Sequence, residues 1–420
     1  MGRPDVQIVW FKRDLRVNDH ASLTAAVESG APVLPLYIFE PSLIAHPHTS
    51  PRHIELVLDG LTDLRESLAT LGAPLVVRVG EVVQVLEELL AEVAIESIHS
   101  HEEFGIEATW KRDLGITPEK MVSRQRGGEK EAREVLRTWI SERVTGYERH
   151  LSSPVSGLSG CSRLSVHLAL GTISPREVHT MVQSRKGEAS SPKFSLNAFE
   201  ERIAWRDHFA QKLEDASYIE HRALHPAFDN LRPTSANAEA LEAFTQGMTG
   251  YPMVDAVVRS LAATGWTTFR MRSMVTSFAS YDLWLPWQES GRVLARWFTD
   301  YDPGIHWPQI QMQSGVTGMN TLRIYDPIKQ QSDHDPTGEF VRKWVPELRD
   351  VPLSVLAIPW FVSSELRNNY PEPIVDHAAA VAQAKKRISA VRNQIKGDGS
   401  TVALLERHGS RRPPPSSRRR

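Results

Sequence analysis

Arg270 and Arg272, followed by Asp300 and Asp302, lie in a stretch otherwise rich in tryptophan and aliphatic side chains. Charges in such surroundings are costly to bury unless they pair with each other or with a polar ligand. Two readings are open: an ordinary salt bridge at a helix end, or the polar cradle of a large cofactor. Met274, Val275, Phe278, Leu283 and Trp287 recur at roughly helical spacing after the arginines, which predicts a buried helix with a charged entry. Beyond it, Pro303, Gly304 and Pro308 predict a loop that carries Asp300, Asp302 and His306 without regular structure.

A second cluster precedes the apolar run in GCSRLSVHLALGTIS, residues 160–174. Cys161, Ser162 and Ser165 there stand where hydroxyls and free backbone N–H groups at a positive helix end can meet an anion such as a diphosphate. Taken alone, the two serines are equally readable as helix caps. Trp205 and Arg206 are adjacent on a helix-patterned stretch and point in different directions, and Tyr147 stands upstream of Pro154.

The runs TGYPMVDAVVRSLAATGW (249–266), RMR, DYDP and RIYDPIKQQSDHDPTGEFVRKWVPEL (323–348) resemble the flavin-binding half of the DNA photolyase and cryptochrome superfamily. WFKRDLRVND near the amino terminus resembles the opening of the same family's antenna domain. The resemblance implies that FAD is held by Tyr147, Cys161, Ser162, Leu164, Ser165, Arg206, Arg272, Asp300, Asp302 and His306. Arg272 and Asp300 match the pair near the flavin N5, Asp302 the acid on the flavin's polar edge, and His306 the residue facing N5, which tunes the flavin's protonation state. Trp205 matches a cavity wall where a damaged base pair would stack, so Trp205, His306 and Trp287 become the candidate catalytic residues and damaged DNA the candidate partner. The activity implied is repair of pyrimidine photoproducts by electron transfer from excited, reduced flavin; the alternative is a cryptochrome-like blue-light photoreceptor without repair.

Several positions depart from the family pattern. Arg202 replaces the glutamate with which cyclobutane-dimer photolyases hold the lesion, Met312 replaces a second stacking tryptophan, and Cys161 replaces a threonine. Of the three relay tryptophans, Trp287 matches the middle one, whereas the flavin-proximal position is Ile310 and the surface position falls near Thr234. Neither can carry an electron hole, so any relay must be rerouted through Trp266, Trp284, Trp297, Trp307 or Tyr301, with Trp307 the first candidate beside the flavin.

The elements that must position these residues follow from the pattern upstream and between. Short apolar runs at 6–11, 33–39, 74–80 and 95–100 alternate with helix-patterned stretches at 21–28, 53–70 and 81–92, which predicts a doubly wound parallel α/β domain over 1–113. No GxGxxG follows the first strand, so a Rossmann dinucleotide site has no motif. Residues 114–127 form a shortened linker where the family carries a further strand, and a second antenna chromophore, folate or deazaflavin, is accordingly not expected. A helical FAD-binding domain is predicted over 128–392, and a basic tail without order over 393–420. A composition 41% hydrophobic and 24% charged, with no long apolar run, excludes a membrane span of helical type. Cys161 is the only cysteine, which excludes intrachain disulfides and a four-thiolate iron–sulfur cluster, and no metal is expected. With no signal peptide pattern in MGRPDVQIVWFKRDLR, an intracellular setting, cytoplasmic or nuclear, is expected.

Overall fold

The computed structural model describes residues 5–102, 121, 123–397 and 399–409. Four parallel strands, β1 (Asp5–Phe11), β2 (Val33–Phe39), β3 (Val76–Val79) and β4 (Ala94–Ser100), form a sheet in the order β3-β2-β1-β4. Alternation along the strands sends side chains to two cores, as the period of two requires. Val9 and Phe11 of β1, with Tyr37 and Phe39 of β2, pack under the helices Ala21–Glu28 and Pro51–Thr70. Val6, Ile8, Leu36 and Ile38 pack on the opposite face under Val85 and Leu89 of the Val82–Glu92 helix. The sheet is therefore doubly wound, and its strand order reverses between β1 and β4. The segment after β4 in which a further strand or antenna pocket was sought falls largely outside the described residues.

The rest is helical. Its main core gathers Val254, Val257, Met274, Phe278, Trp287 and Trp307 with their neighbours, and a second core forms around Trp139, Tyr147 and Phe199. The domains meet through buried polar contacts. Arg52 donates to the carbonyl oxygens of Trp297 at 2.8 Å and Ala262 at 3.1 Å, and His53 Nε2 donates to the Phe298 carbonyl at 2.8 Å. Arg124, just ahead of the Glu129–Thr138 helix, pairs with Asp59 and Glu55 on the Pro51–Thr70 helix.

Three expectations need correction. The stretch after Asp302 is a helix, Pro303–Ser314, not a loop. Pro303 occupies its first position, where no backbone N–H is required, the Asp302 side chain caps Gly304 N at 3.0 Å, and packing against the Lys193–Asp215 helix carries the chain through Pro308. The apolar run from Phe269 is not one continuous helix: it ends at Ser277, passes through a π turn at Phe278–Asp282 and resumes at Trp287–Trp297. The tail is ordered further than its composition indicates. The preceding helix runs His377–Gln394, and Ser400–His408 is a further helix, with His408 buried and Leu404 packed beside Leu213.

Candidate functional site

One cavity of about 280 Å³ opens within the helical domain. The Lys193–Asp215 helix contributes Arg202, Trp205 and Arg206 to its wall, and the Phe269–Ser277 helix contributes Arg272. Asp300, Asp302 and His306 come from the turn into the Pro303–Ser314 helix. Cys161, Ser162, Leu164 and Ser165 approach from a bend in which Arg163 takes a positive φ of 62°, a conformation uncommon for a residue with a Cβ. Tyr147, held by Trp139 and Phe199, completes the set. Every candidate cofactor-binding residue, and of the candidate catalytic residues Trp205 and His306 but not Trp287, lines this one cavity.

The arginine and aspartate residues resolve into two pairs, the expected Arg272–Asp300 and an Arg206–Asp302 pair. Arg272 grips Asp300 in a bidentate pair, Nη1 to Oδ1 at 2.9 Å and Nη2 to Oδ2 at 2.8 Å, while its Nε donates to the Thr267 carbonyl at 3.0 Å. The guanidinium lies 4.1 Å over the Phe298 ring. Burial pushes the Asp300 carboxyl up, but the Arg272 charge and hydrogen bonds outweigh it and hold the carboxyl below the usual range. Asp302 pairs with Arg206 at 3.1 Å rather than with Arg270, whose guanidinium faces Tyr325.

His306 Nε2 donates to the Gly291 carbonyl at 2.9 Å, so the neutral ring keeps Nδ1 as its acceptor. Burial pushes its pKa down to about 3. Cys161 is a buried thiol pushed up to about 12, chiefly by burial. It is inert as a nucleophile and a weak donor where a hydroxyl would be stronger. The positive-helix-end reading of Ser162 and Ser165 loses weight, because the helix that follows, Ser165–Ala169, is only five residues long. Charge at the cavity comes instead from side chains. Arg163, Arg202, Arg206 and Arg272 face two carboxylates, Asp300 and Asp302, a surplus of two positive charges.

The cavity also presents buried polar atoms without protein partners: Arg163 Nη1, Arg202 Nε and Nη1, Arg206 Nε, Thr268 Oγ1, and both polar atoms of the Gln313 side chain. Buried polar groups are normally satisfied, so these are groups that a polar ligand in the cavity would satisfy. A dinucleotide with a diphosphate, a hydroxylated linker and a polar heteroaromatic edge fits both the surplus charge and the orphaned donors.

Residues 199–390 match the model of the FAD binding domain of DNA photolyase, and residues 7–114 match that of DNA photolyase. The chain belongs to the photolyase/cryptochrome superfamily. It is 28% identical to a deoxyribodipyrimidine photo-lyase of Escherichia coli (strain K12), over 92% of this chain and 98% of that protein. It is 27% identical to a cryptochrome DASH of Gloeobacter violaceus, over 88% and 93%. Among solved structures, a Synechocystis cryptochrome superposes with a TM-score of 0.82 at 22% identity, covering 92% of this chain and 99% of that one. A class III photolyase from Agrobacterium tumefaciens superposes at 0.76 with 25% identity, covering 94% and 98%. The chain is thus a photolyase-like flavoprotein with FAD as its cofactor.

The tryptophans sort by environment. Trp205 and Trp266 line the photolyase-like cavity, but each carries a guanidinium on its face, Arg202 at 4.2 Å and Arg163 at 3.9 Å. Trp284 lies between two, Arg232 at 4.8 Å and Arg387 at 4.7 Å. A positive charge on such a ring is opposed by on the order of 4 kcal/mol for unit charges about 4 Å apart at an effective dielectric constant of about 20. Trp307 and Trp287 have each other instead, with ring centroids 5.8 Å apart, and Trp307 also meets His48 and His306, both at 4.9 Å. Gly291 permits this packing, since a Cβ there would meet Trp307 Cζ3 at 2.6 Å. Trp307 does not line the cavity, which corrects its expected place beside the flavin; Tyr301 and Ile310 both do. Thr234 is exposed, and Met312 is not part of the wall.

The sequence reading passed over Arg163, Thr268 and Gln313. Arg163 sits inside the SRLS motif and could have been found there, whereas Thr268 and Gln313 reach the cavity only through tertiary packing. Among the described residues no cluster of three metal-ligating side chains occurs, and no helix is long and apolar enough to cross a membrane.

Proposed function

We propose that this protein is a light-driven, FAD-dependent enzyme of the photolyase type that acts on pyrimidine photoproducts in DNA, inside the cell. The observation that carries the reading is the cavity itself, with its bidentate Arg272–Asp300 pair, its orphaned donors and its two surplus positive charges. Photolyases and cryptochromes among the chain's relatives support the class. Bound FAD supplies blue-light absorption and one-electron transfer. Arg272, Asp300, Arg206 and Asp302 would hold it, Arg163 and Ser162 would face its anionic part, and neutral His306 would offer a ring nitrogen without adding charge. Trp205 would give the substrate base a stacking surface.

A second reading, a cryptochrome-like sensor without repair, is favoured by one observation. Arg202 stands on the cavity wall with donors only and no acceptor, so it cannot receive a hydrogen bond from a base N–H. The deciding experiment is purification followed by illumination with an oligonucleotide that carries a pyrimidine dimer. The repair reading predicts flavin bands alone in the spectrum, without folate or deazaflavin, and light-dependent loss of the dimer. Intact dimer beside fully bound, photoreducible flavin would establish the sensor reading.

Electron supply gives a separate prediction. Trp287→Phe and Trp307→Phe are each expected to slow photoreduction by an external reductant at least about tenfold, the equivalent of about 1.4 kcal/mol. Trp284→Phe is expected to leave it unchanged, because the two guanidiniums already disfavour a hole there. Flash kinetics on the three variants checks this, and loss of photoreduction in Trp284→Phe alone would refute the route.

A further inference from the structure

Tyr301 stands at the junction of three parts of the molecule. It is one of the residues lining the cavity, its hydroxyl accepts the Trp307 Nε1–H bond at 3.3 Å, and the same hydroxyl lies 3.1 Å from His48 Nδ1. His48 comes from the α/β domain, between β2 and the Pro51–Thr70 helix, and is buried. An indole nitrogen can only donate, so the phenol accepts from Trp307 and has its own proton left to give. The arrangement that satisfies both partners therefore has Tyr301 Oη–H donating to His48 Nδ1. Burial, with His46 and His306 nearby, pushes the His48 pKa down to about 3, so its ring is neutral and Nδ1 is free to accept. His46, partly exposed, follows with its ring 4.4 Å from that of His48.

Packing alone explains an aromatic cluster, but it does not require a phenol held between an indole donor and a neutral imidazole acceptor across two domains. Removing an electron from a buried phenol places a positive charge in a poorly solvated site and makes its O–H strongly acidic. A base already in contact takes the proton in the same event, which leaves the phenoxyl neutral and moves the charge to the imidazole. Trp205 and Trp266, the tryptophans on the cavity wall, lack this device and carry cations instead.

We propose that Tyr301 is a redox-active residue with His48 as its proton acceptor, so that a hole created in the cavity is trapped on Tyr301 as a neutral phenoxyl radical. Tyr301 gives one electron to the oxidant, the light-excited isoalloxazine of FAD. Its O–H bond breaks, and the proton forms a bond to His48 Nδ1. The protein products are a phenoxyl radical and an imidazolium, with the electron on the oxidant. On a slower timescale Trp307, bonded to the same oxygen, gives an electron to the phenoxyl while His48 returns the proton, which restores the phenol and leaves the hole on the indoles of Trp307 and Trp287. His48 is a positioning and proton-accepting residue that does not itself touch the cofactor cavity. The proposal rests on the reading of the cavity as a flavin site.

The experiment is a flash of blue light on the oxidised holoprotein, with FAD occupancy measured first, followed by electron paramagnetic resonance and transient absorption. A neutral tyrosyl radical is expected in the wild type and lost in Tyr301→Phe. His48→Phe, and His48→Gln as a second variant that keeps a polar partner, should slow its formation at least about a hundredfold. Heavy water should slow the wild type and leave the His48 variants unaffected. A soluble ruthenium photo-oxidant applied to the flavin-free protein should produce the same radical, which separates this proposal from the flavin reading: absence of FAD would defeat the latter alone. An indole radical alone in the wild type, or tyrosyl formation at an unchanged rate in both His48 variants, would overturn the proposal.

Discussion

Asp300→Ala is expected to purify without flavin and to unfold at a lower temperature than the wild type. The Asp300 side chain is 3% exposed and meets Arg272 through two hydrogen bonds, so the substitution leaves a guanidinium, itself 26% exposed, without its counter-charge. Breaking a buried pair by removing one partner costs about 3–5 kcal/mol, and the partial exposure of Arg272 puts this case at the lower end, about 3 kcal/mol. For a chain of 420 residues unfolding as a unit that corresponds to roughly 3–4 °C in the apparent melting temperature. Asp300→Asn keeps the shape and one acceptor, and should lie between the two. Thermal denaturation with release of flavin fluorescence measures both effects together. An Asp300→Ala protein that keeps full FAD occupancy and its melting temperature would show that the pair is a bystander.

Mild acid should destabilise the folded protein well before the carboxylates titrate. Burial pushes His48 and His306 down to about 3, and His53 and His167 down to about 4. A folded value below the unfolded 6.5 means that the unfolded chain takes up more protons, so the stability from keeping these rings neutral is present above pH 6.5 and drains away as pH falls toward 4 and 3. Each such histidine approaches a slope of about 1.4 kcal/mol per pH unit below its unfolded value and removes about 1 kcal/mol between pH 6.5 and about 5.5, so two acting together remove about 2 kcal/mol there. His377, raised by its hydrogen bond to Asp282, acts in the opposite sense: its contribution is present below pH 6.5 and lost as pH rises through its folded value. Urea midpoints at a series of pH values, for wild type and His306→Gln, measure the slope. The variant should flatten the profile by about one proton, and an unchanged slope would mean that His306 is not held neutral.

The fold was legible because its signals are local. The alternation of Val6, Ile8, Leu36 and Ile38 against Val9, Phe11, Tyr37 and Phe39 encodes two sheet faces, and capping and periodicity place most helices within a few residues. The site was legible where short motifs carry it, as with SRLS and the DYD turn. Legibility failed where tertiary contact overrules local preference. Pro303 and Pro308 read as helix breakers, yet one sits where a helix tolerates proline and the other is carried by packing on the Lys193–Asp215 helix. The pairing of Asp302 with Arg206 spans a sequence separation of 96 residues, and that of Tyr301 with His48 spans 253, so no spacing rule reports them. The π turns at Trp139–Arg143 and Phe278–Asp282 likewise leave no signature in apolar periodicity.

A single cavity built from 147–209 and 266–313 is the proposed FAD site. Its most direct test is the flavin content of the natively purified wild type, read from its absorption spectrum and from the cofactor released on denaturation. One equivalent of non-covalent FAD per chain is predicted, with uptake of FAD by the stripped protein abolished or strongly weakened in Asp300→Ala. A colourless, folded wild-type protein that takes up no FAD on reconstitution would contradict it.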